Sequence, residues 1–174
     1  ILGVKIMNGV CRYKFLVIDN KDLLDINDLK RKVNQAVKHP EPVLKMDAPW
    51  NKKNEEFSHC NIIYDQQEKL FKMWYSVTGK NADDDIGVIV EVPAKVAYAT
   101  SKDGINWERP ELGLIEVNGS RKNNYIIPEM GFYGFTLIKD PSDIPARQYK
   151  MIFGTLGRED RWAEFHVPLC MAYS

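Results

Sequence analysis

The sequence lacks an excess of charge of either sign, and it lacks long hydrophobic runs. Its 174 residues include 24 Lys and Arg against 24 Asp and Glu, so the formal net charge is zero. Proteins that bind nucleic acid through its phosphates carry a clear basic excess, so we expect no nucleic-acid partner. The longest apolar runs, such as residues 86–92, are interrupted by Gly87 and Glu91. They are far shorter than the ~20 apolar residues of a membrane-spanning helix, so we expect no membrane partner.

Cysteine is scarce, and the three cysteines form no recognisable pattern. Cys11, Cys60 and Cys170 are an odd number at wide spacing, which is typical neither of a disulfide framework nor of a zinc site. We therefore interpret them as buried thiols and expect no metal and no other cofactor. The sequence also lacks a basic start followed by an apolar core, the pattern of a secretory signal. Either a signal was removed or none existed, and a secreted or periplasmic location is slightly favoured.

What the sequence does contain is an internal repeat of strand-like segments. Its 11 Gly, its 9 Pro and its short aromatic bursts favour a β-rich chain with many turns. Two copies of three segments lie about 75 residues apart. They are 60–65 (CNIIYD), 70–76 (LFKMWYS) and 97–101 (AYATS), which recur as 135–140 (FTLIKD), 148–154 (QYKMIFG) and 170–174 (CMAYS). This order predicts antiparallel meanders, an all-β fold with little helix.

The connections between these segments have turn chemistry. Residues 65–69 and 140–147 are polar, and the second stretch holds two prolines that prevent continued strand pairing, so both are predicted to be hairpin loops. Asp103 and Gly104 predict a tight turn, with Trp107 folding back as a buried apolar plug. The stretch 101–107 resembles a shortened Asp-box turn of propeller blades, and we favour this structural role over a catalytic role for Asp103.

Two further segments are less distinctive. Three aspartates in residues 78–87 could suggest a cation site, but they lack the Gly and the distal Glu of a calcium loop, so a solvated loop is expected. Residues 13–37 contain apolar positions at helical spacing and also a strand-like run, and we favour an extended segment. We predict an N-terminal extended segment over 1–50, a first repeat over 51–125 and a truncated second repeat over 126–174.

Several motifs together resemble a known group of proteins. They are residues 15–19 (FLVID), 39–44 (HPEPVL), 48–50 (APW), 71–75 (FKMWY), 98–107 (YATSKDGINW), 110–113 (PELG) and 118–124 (NGSRKNN). They resemble the start of bacterial glycosidases placed near glycoside hydrolase families 32 and 43, which are five-bladed β-propellers. The resemblance covers nearly the whole chain. It implies the propeller fold and glycosidase activity on a poly- or oligosaccharide.

The length of the repeat bears on the number of blades. Five repeats of this size would need roughly 375 residues, whereas this chain holds about two of the four to eight blades that propellers contain. A two-blade arc leaves open sheet edges, so we expect either a fragment of a longer polypeptide or self-association of arcs. The remainder of the propeller, or another copy, is therefore an expected partner in addition to carbohydrate.

Glycoside cleavage requires two carboxyl groups on opposite sides of the scissile bond. The resemblance implies that these acids project into a central funnel from the innermost strands, with a further acid from a later blade. The first innermost strand is preceded by Glu55 and Glu56, and the second by Glu129, at nearly the same point of the repeat. We therefore predict Glu56, Glu129 and Glu55 as catalytic candidates, the alternative being solvated loop charges. The family's Asn-Asp-Pro and Arg-Asp-Pro signatures are not matched cleanly, since Asp140 aligns with Asp65 as a turn residue.

Three residues are candidates for substrate binding. Trp50 could stack on a sugar face, and His59 could donate to a hydroxyl, although both could equally be core residues. Asn124, at the end of the motif 118–124, is the third candidate. The rival to a glycosidase is a propeller that binds carbohydrate or serves as a scaffold without hydrolysis. A structural repeat for protein contacts is a third possibility.

Overall fold

The computed structural model describes residues 5–6, 9–10, 35–79, 93–155 and 169–174. The chain divides into two units, residues 1–38 and 39–174. In the first unit, strands β1 (Lys5–Ile6) and β2 (Gly9–Val10) form an antiparallel pair. Of the extended segment predicted over residues 13–37, residues 13–34 lie outside the described part of the chain. Residues 80–87 of the predicted aspartate loop also lie outside it.

The second unit is built from antiparallel strands. They are β3 (Glu55–Asp65), β4 (Leu70–Gly79), β5 (Pro93–Ser101), β6 (Trp107–Glu108), β7 (Tyr125–Lys139), β8 (Tyr149–Thr155) and β9 (Leu169–Tyr173), with a short 3-10 helix at Pro145–Arg147. The strand order is β3-β4-β5-β7-β8-β9, and β6 pairs with β5. The described residues contain no α-helix. The all-β prediction with antiparallel meanders is confirmed.

The two copies of the repeat have the same strand register. We call β3, β4 and β5 the first meander, and residues 132–139 of β7 with β8 and β9 the second meander. Paired residues across the three strands are Ile62, Met73 and Ala99 in the first meander and Leu137, Met151 and Ala172 in the second. These residues are the ones aligned by the sequence repeat. The repeat therefore describes equivalent positions in space as well as in sequence.

Strand β7 joins the two meanders. Its first part pairs with β5, from Ala97 opposite Tyr125 to Pro93 opposite Gly131, and its second part pairs with β8 from Phe132 onward. The predicted strand beginning near residue 132 therefore begins earlier, at Tyr125, because residues 125–131 complete the sheet of the first meander. A bulge at Gly134, whose φ of 69° suits glycine, lies where β7 begins to run along β8.

The first meander is covered on both faces. Alternating residues of β4 point to opposite sides. On one side, Met73, Tyr75 and Val77 pack with Tyr125 and are covered by hydrophobic residues of the segments 44–50 and 107–117. On the other side, the first meander meets the second. The buried members of that contact are Trp74, Ala94, Val96, Leu137 and Met151.

The turn at residues 101–107 has the predicted geometry. The Asp103 carboxylate accepts hydrogen bonds from the amides of Ile105 and Asn106, both at 2.8 Å, and Gly104 has a φ of 76°. These bonds lower the pKa of Asp103 well below its usual range. The prediction of a buried Trp107 is confirmed only in part, because the ring is half-buried against the cluster of Met73, Tyr75 and Val77. Its Nε1 donates to the Gly104 carbonyl at 3.1 Å. Asp103 therefore holds the turn together, which is the structural role favoured by the sequence.

The prediction of buried cysteines is wrong for Cys60, which is exposed, while Cys170 is half-buried; both are free thiols. Cys11, the third cysteine of that prediction, lies outside the described residues. Cys60 lies on β3, an edge strand of the described sheet, on the face where Ile62 and Tyr64 are also exposed. An edge strand has a neighbour on one side only, so a small side chain there gains less cover than in a central strand. Among the described residues, no helix has the length and apolar character needed to cross a membrane.

Candidate functional site

Two of the predicted glutamates meet at one lysine. Glu55 is the first residue of β3, and Lys95 lies on the central strand β5; both are buried. Lys95 Nζ donates to Glu55 Oε1 at 2.5 Å and lies 3.7 Å from Glu129 Oε2. The Glu55 side chain is 2% exposed and that of Glu129 is 48% exposed. The site thus combines a buried ion pair with one carboxylate that solvent can reach.

A bulge in β7 brings Glu129 to this position. Val96 pairs with Ile127, and Ala94 pairs with Met130. One residue of β5, Lys95, therefore faces two residues of β7, Pro128 and Glu129. A bulge of this kind turns a side chain away from the regular alternation of the strand. The predicted position of Glu129 before a strand is corrected here: the residue lies within β7, at an irregular point.

The Glu55 carboxylate has a second set of donors on its other oxygen. The Lys52 amide donates to Oε2 at 2.9 Å, and Asn51 Nδ2 does so at 3.4 Å. The same Asn51 nitrogen donates to Tyr125 Oη at 3.1 Å. Lys95 Nζ lies 5.2 Å from the centre of the Tyr125 ring, within the distance of a cation–π contact. The backbone turn before β3 and the ring of Tyr125 therefore both fix the ion pair.

These contacts keep Glu55 in its charged form. Burial acts to raise the pKa of Glu55, but the hydrogen bonds from Lys95 and from the Lys52 amide outweigh it, so the pKa lies below its usual value. Burial and the neighbouring Glu55 carboxylate raise the pKa of Tyr125, which stays a neutral phenol. The arrangement therefore provides one buried carboxylate whose charged form is stabilised beside one that is accessible.

Glu56 is oriented differently from Glu55. It is exposed and pairs with Thr78 in the strand register. Successive residues of a strand point to opposite faces, so Glu56 faces away from the side on which Glu55 meets Lys95. Of the two alternatives left open by the sequence, the structure brings Glu55 together with Glu129.

The predicted sugar-binding residues occupy two other places. Trp50 donates from Nε1 to Asn124 Oδ1 at 3.0 Å, and Asn124 Nδ2 donates to Tyr75 Oη at 2.8 Å and to the Tyr98 carbonyl at 2.7 Å. Asn124 is fully buried, and Trp50 is half-buried against the hydrophobic cluster around Tyr75 and Tyr125. These contacts tie the segment before β3 to the first meander. In this geometry the polar atoms of Asn124 already have protein partners.

His59 lies where β3 approaches β7. It is exposed, and its Nδ1 is 3.1 Å from Ser58 Oγ. A Cβ placed on Gly134 would lie 3.5 Å from His59 Nε2, so the imidazole covers the bulge of β7. The structure therefore places His59 at the contact between the two meanders, and apart from Trp50 and Asn124.

A second polar cluster joins the two meanders at the opposite end of β3. Asp65 is 1% exposed, and its Oδ2 accepts hydrogen bonds from Lys139 Nζ and Tyr149 Oη, both at 2.7 Å. Lys72 Nζ lies 3.3 Å from the same oxygen and also donates to Glu68 Oε1 at 2.7 Å. The bond from Lys139, followed by that from Tyr149, lowers the pKa of Asp65 far below its usual range. The two lysines balance the charges of the two carboxylates. The cluster therefore holds the two meanders together, which is a structural role.

Sequence reasoning missed Lys95, Asn51 and Tyr125. A signal for Lys95 exists, since it is a lone cation between Ala94 and Val96 in a strand of small and apolar residues. A lysine in such a setting is buried and requires an acidic partner. Among the described residues, no group of three or more His, Cys, Asp or Glu side chains is arranged to hold a metal ion.

Comparisons with known proteins assign neither a family nor a function to this chain. No protein-family model matches the sequence, and no curated protein and no solved structure matches it either.

Proposed function

We propose that the chain is part of a glycoside hydrolase built as a β-propeller, in which Glu55 and Glu129 act on a poly- or oligosaccharide. The observation that carries the proposal is the meeting of these two glutamates at Lys95. They come from nearly equivalent points of consecutive repeats, and paired carboxylates are the groups that glycoside cleavage requires.

The packing of the two meanders supports the propeller. One face of the first meander is buried against the second meander. The equivalent face of the second meander exposes large apolar side chains, namely Ile138, Ile152, Leu169, Met171 and Tyr173. Contiguous apolar surface of this kind is typical of an interface. We propose that a third sheet of the same repeat covers it in the whole protein, as consecutive blades of a propeller do.

The test is turnover of a panel of aryl glycosides by the full-length protein. Glu55→Gln and Glu129→Gln keep side-chain size and remove the carboxylate, and each should lower the rate ~10²- to 10⁴-fold. Glu111→Gln, at an exposed position outside the cluster, is the matched control and should leave the rate unchanged. Unchanged rates in both test variants would reject the site. Absence of turnover by the wild type on every substrate would reject hydrolysis.

The burial of Glu55 favours a second candidate function, carbohydrate binding without hydrolysis. Its side chain is 2% exposed, and Lys95 occupies the space between the two carboxylates. A sugar would then contact Glu129 alone. Calorimetric titration with oligosaccharides distinguishes the two functions, because a binding module gives heat of binding without any product.

A further inference from the structure

The same cluster of two acids and one lysine occurs in both meanders. Its members are Asp65, Glu68 and Lys72 in the first meander and Asp140, Asp143 and Lys150 in the second. Each lysine binds both acids of its own set, and the distance from its Nζ to the second acid is 2.7 Å in one set and 3.0 Å in the other. The first acid of each set also accepts a hydrogen bond at 3.0 Å from the amide two residues later. The structural repeat therefore includes a polar cluster.

The two clusters differ in what the neighbouring sheet adds to them. In the first, Asp65 Oδ2 accepts from Lys139 Nζ and Tyr149 Oη of the second meander, and the side chain is 1% exposed. In the second, the Asp140 side chain is 31% exposed and its cationic partner among the described residues is Lys150. The first cluster is completed across an interface, and the second lies at the surface of the described fold.

The apolar residues around the two clusters differ in the same way. Ile152 has the register position of Trp74, and Met171 that of Tyr98. Trp74 is 7% exposed because the ring of Tyr149 packs on it, with the ring centres 5.2 Å apart. Ile152 is 45% exposed and Met171 67% exposed. The second meander thus presents to solvent the equivalent of a face that the first meander buries.

A second copy of the chain does not offer a matching face. The face that covers Trp74 contains Leu137 and Met151, and in every copy these residues already pack against their own first meander. The equivalent face of the first meander, around Met73, is covered by hydrophobic residues of the segments 44–50 and 107–117. Both faces of the required kind are therefore occupied within the described residues of each molecule.

We propose that Asp140, Lys150 and Ile152 form the docking surface for a further sheet of the same repeat, which brings a lysine to Asp140 and a tyrosine hydroxyl to both Asp140 and Lys150. The two partner residues are the equivalents of Lys139 and Tyr149. This inference rests on the propeller arrangement of the proposed function and adds to it the chemistry of the partner. Aliphatic residues at the equivalents of Leu137 and Met151 cover Ile152.

The polar partners are required by the cost of burying a carboxylate. A purely apolar sheet would remove water from Asp140 without replacing its hydrogen bonds, which is strongly unfavourable. Lys150 cannot compensate alone, because it also binds Asp143. Arg147 binds Asp143 at 3.1 Å, so among the described cations Asp140 keeps Lys150. In the first cluster, the same need is met by Lys139 and Tyr149.

Photo-crosslinking in the full-length protein identifies what covers this surface. Ile152→p-benzoyl-phenylalanine should capture a segment of the same polypeptide that lies one repeat, about 75 residues, beyond Tyr149–Met151. Trp74→p-benzoyl-phenylalanine is the positive control and should capture β8. Ile105→p-benzoyl-phenylalanine, at a position equally exposed at 45%, is the negative control. Capture of a second molecule, or of a segment without the lysine and the tyrosine, would overturn the proposal.

Peroxide oxidation of methionine tests the same surface without any substitution. In the folded full-length protein, Met171 should be oxidised as slowly as Met151, which is 5% exposed, and both should become reactive in urea. This protection should not depend on protein concentration. Protection that appears only at high concentration would indicate a second copy, and a Met171 that reacts as fast folded as unfolded would show that nothing covers this face. Either result would refute the proposal.

A double-mutant cycle tests the polar contact. Once the captured segment is known, Asp140→Asn is combined with replacement of its lysine by Met in the full-length protein. The shifts of the thermal unfolding midpoint should be clearly smaller in the double variant than the sum of the single shifts, whereas additive shifts would refute the contact. Residues 1–174 alone lack this lysine, so there Asp140 acts as a surface carboxylate. Capture without turnover would reject only the glycosidase function, and turnover without capture only the docking surface.

Discussion

Replacing Asp65 with asparagine removes the carboxylate on which Lys139 and Tyr149 converge. In the wild type, Asp65 Oδ2 accepts from both at 2.7 Å and lies 3.3 Å from Lys72 Nζ. Oδ1 accepts from the amides of residues 67 and 68 at 3.0 and 3.2 Å. Asparagine can keep the two amide contacts through its oxygen, but its NH₂ group then faces an ammonium group, and two donors meet without an acceptor.

The expected loss of stability depends on which partners Lys72 and Lys139 retain in the variant. Loss of one partner of a buried ion pair costs about 3–5 kcal/mol. Lys72 keeps Glu68 as a partner at 2.7 Å, and the Lys139 side chain is 17% exposed and can turn toward solvent. We therefore expect the lower end, about 3 kcal/mol, which is a large part of the 5–15 kcal/mol that stabilises an ordinary domain.

Urea unfolding followed by tryptophan fluorescence at several pH values is the appropriate assay. The pKa of Asp65 is lower in the folded state than the ~3.9 of an unfolded chain, so its stabilisation is complete above that value and is lost as pH falls below it. The difference between wild type and Asp65→Asn should be full near pH 7 and should shrink below pH 4. The matched control is Asp140→Asn, because Asp140 occupies the equivalent position and pairs with Lys150 near the surface. Equal losses in both variants, or a difference independent of pH, would refute the reasoning.

Other substitutions test the parts of the fold that lie around the site. Gly104→Ala, at a φ of 76°, should cost ~1 kcal/mol in thermal unfolding, whereas no loss would show that the turn is unstrained. Trp107→Ala should cost about 2 kcal/mol because the ring is half-buried, and weakened sugar binding at unchanged stability would instead make it a ligand contact. Asn124→Leu removes one hydrogen-bond partner from each of Trp50 and Tyr75 and should lower stability by ~2 kcal/mol, while the alternative of substrate binding predicts a rise in KM with stability unchanged.

The repeat made the architecture predictable from the sequence. The alternation in the segment around Met73 and in that around Met151 places the same residues opposite each other in both copies, and the register agrees with the alignment. The polar turn after Asp65 and the Asp103 turn could also be predicted, because an Asp side chain hydrogen-bonds the backbone that follows it and Gly adopts positive φ without strain. What the repeat could not reveal is that residues 125–131 belong to the first sheet. Strand pairing between β5 and β7 depends on contacts across the described fold, and no local pattern encodes it.

The site was only partly predictable for a related reason. Glu55 and Glu56 are adjacent, and period-two alternation says that they face opposite sides without saying which side is buried. The ion pair with Lys95 is what identifies Glu55 as the buried residue, and Lys95 lies 40 residues away on another strand. The irregularity that presents Glu129 is a bulge, which adds one residue to a strand, and the sequence signal for it is Pro128 alone. Asn124 and Trp50 were candidates because their chemistry suits sugars, but the same donors and acceptors serve the core.

Asn61 joins β3 to β7 by a side chain in place of a backbone ladder. Its Nδ2 donates to the Phe135 carbonyl at 3.1 Å, and its Oδ1 accepts from the Leu137 amide at 3.2 Å. The amide of one side chain thus takes the place that a peptide group of a neighbouring strand would occupy. Unpaired backbone groups at a strand edge are a template for pairing with another chain, and here two of them are already occupied. Asn61 consequently occupies two backbone groups at the edge of β7 that another chain would need for strand pairing.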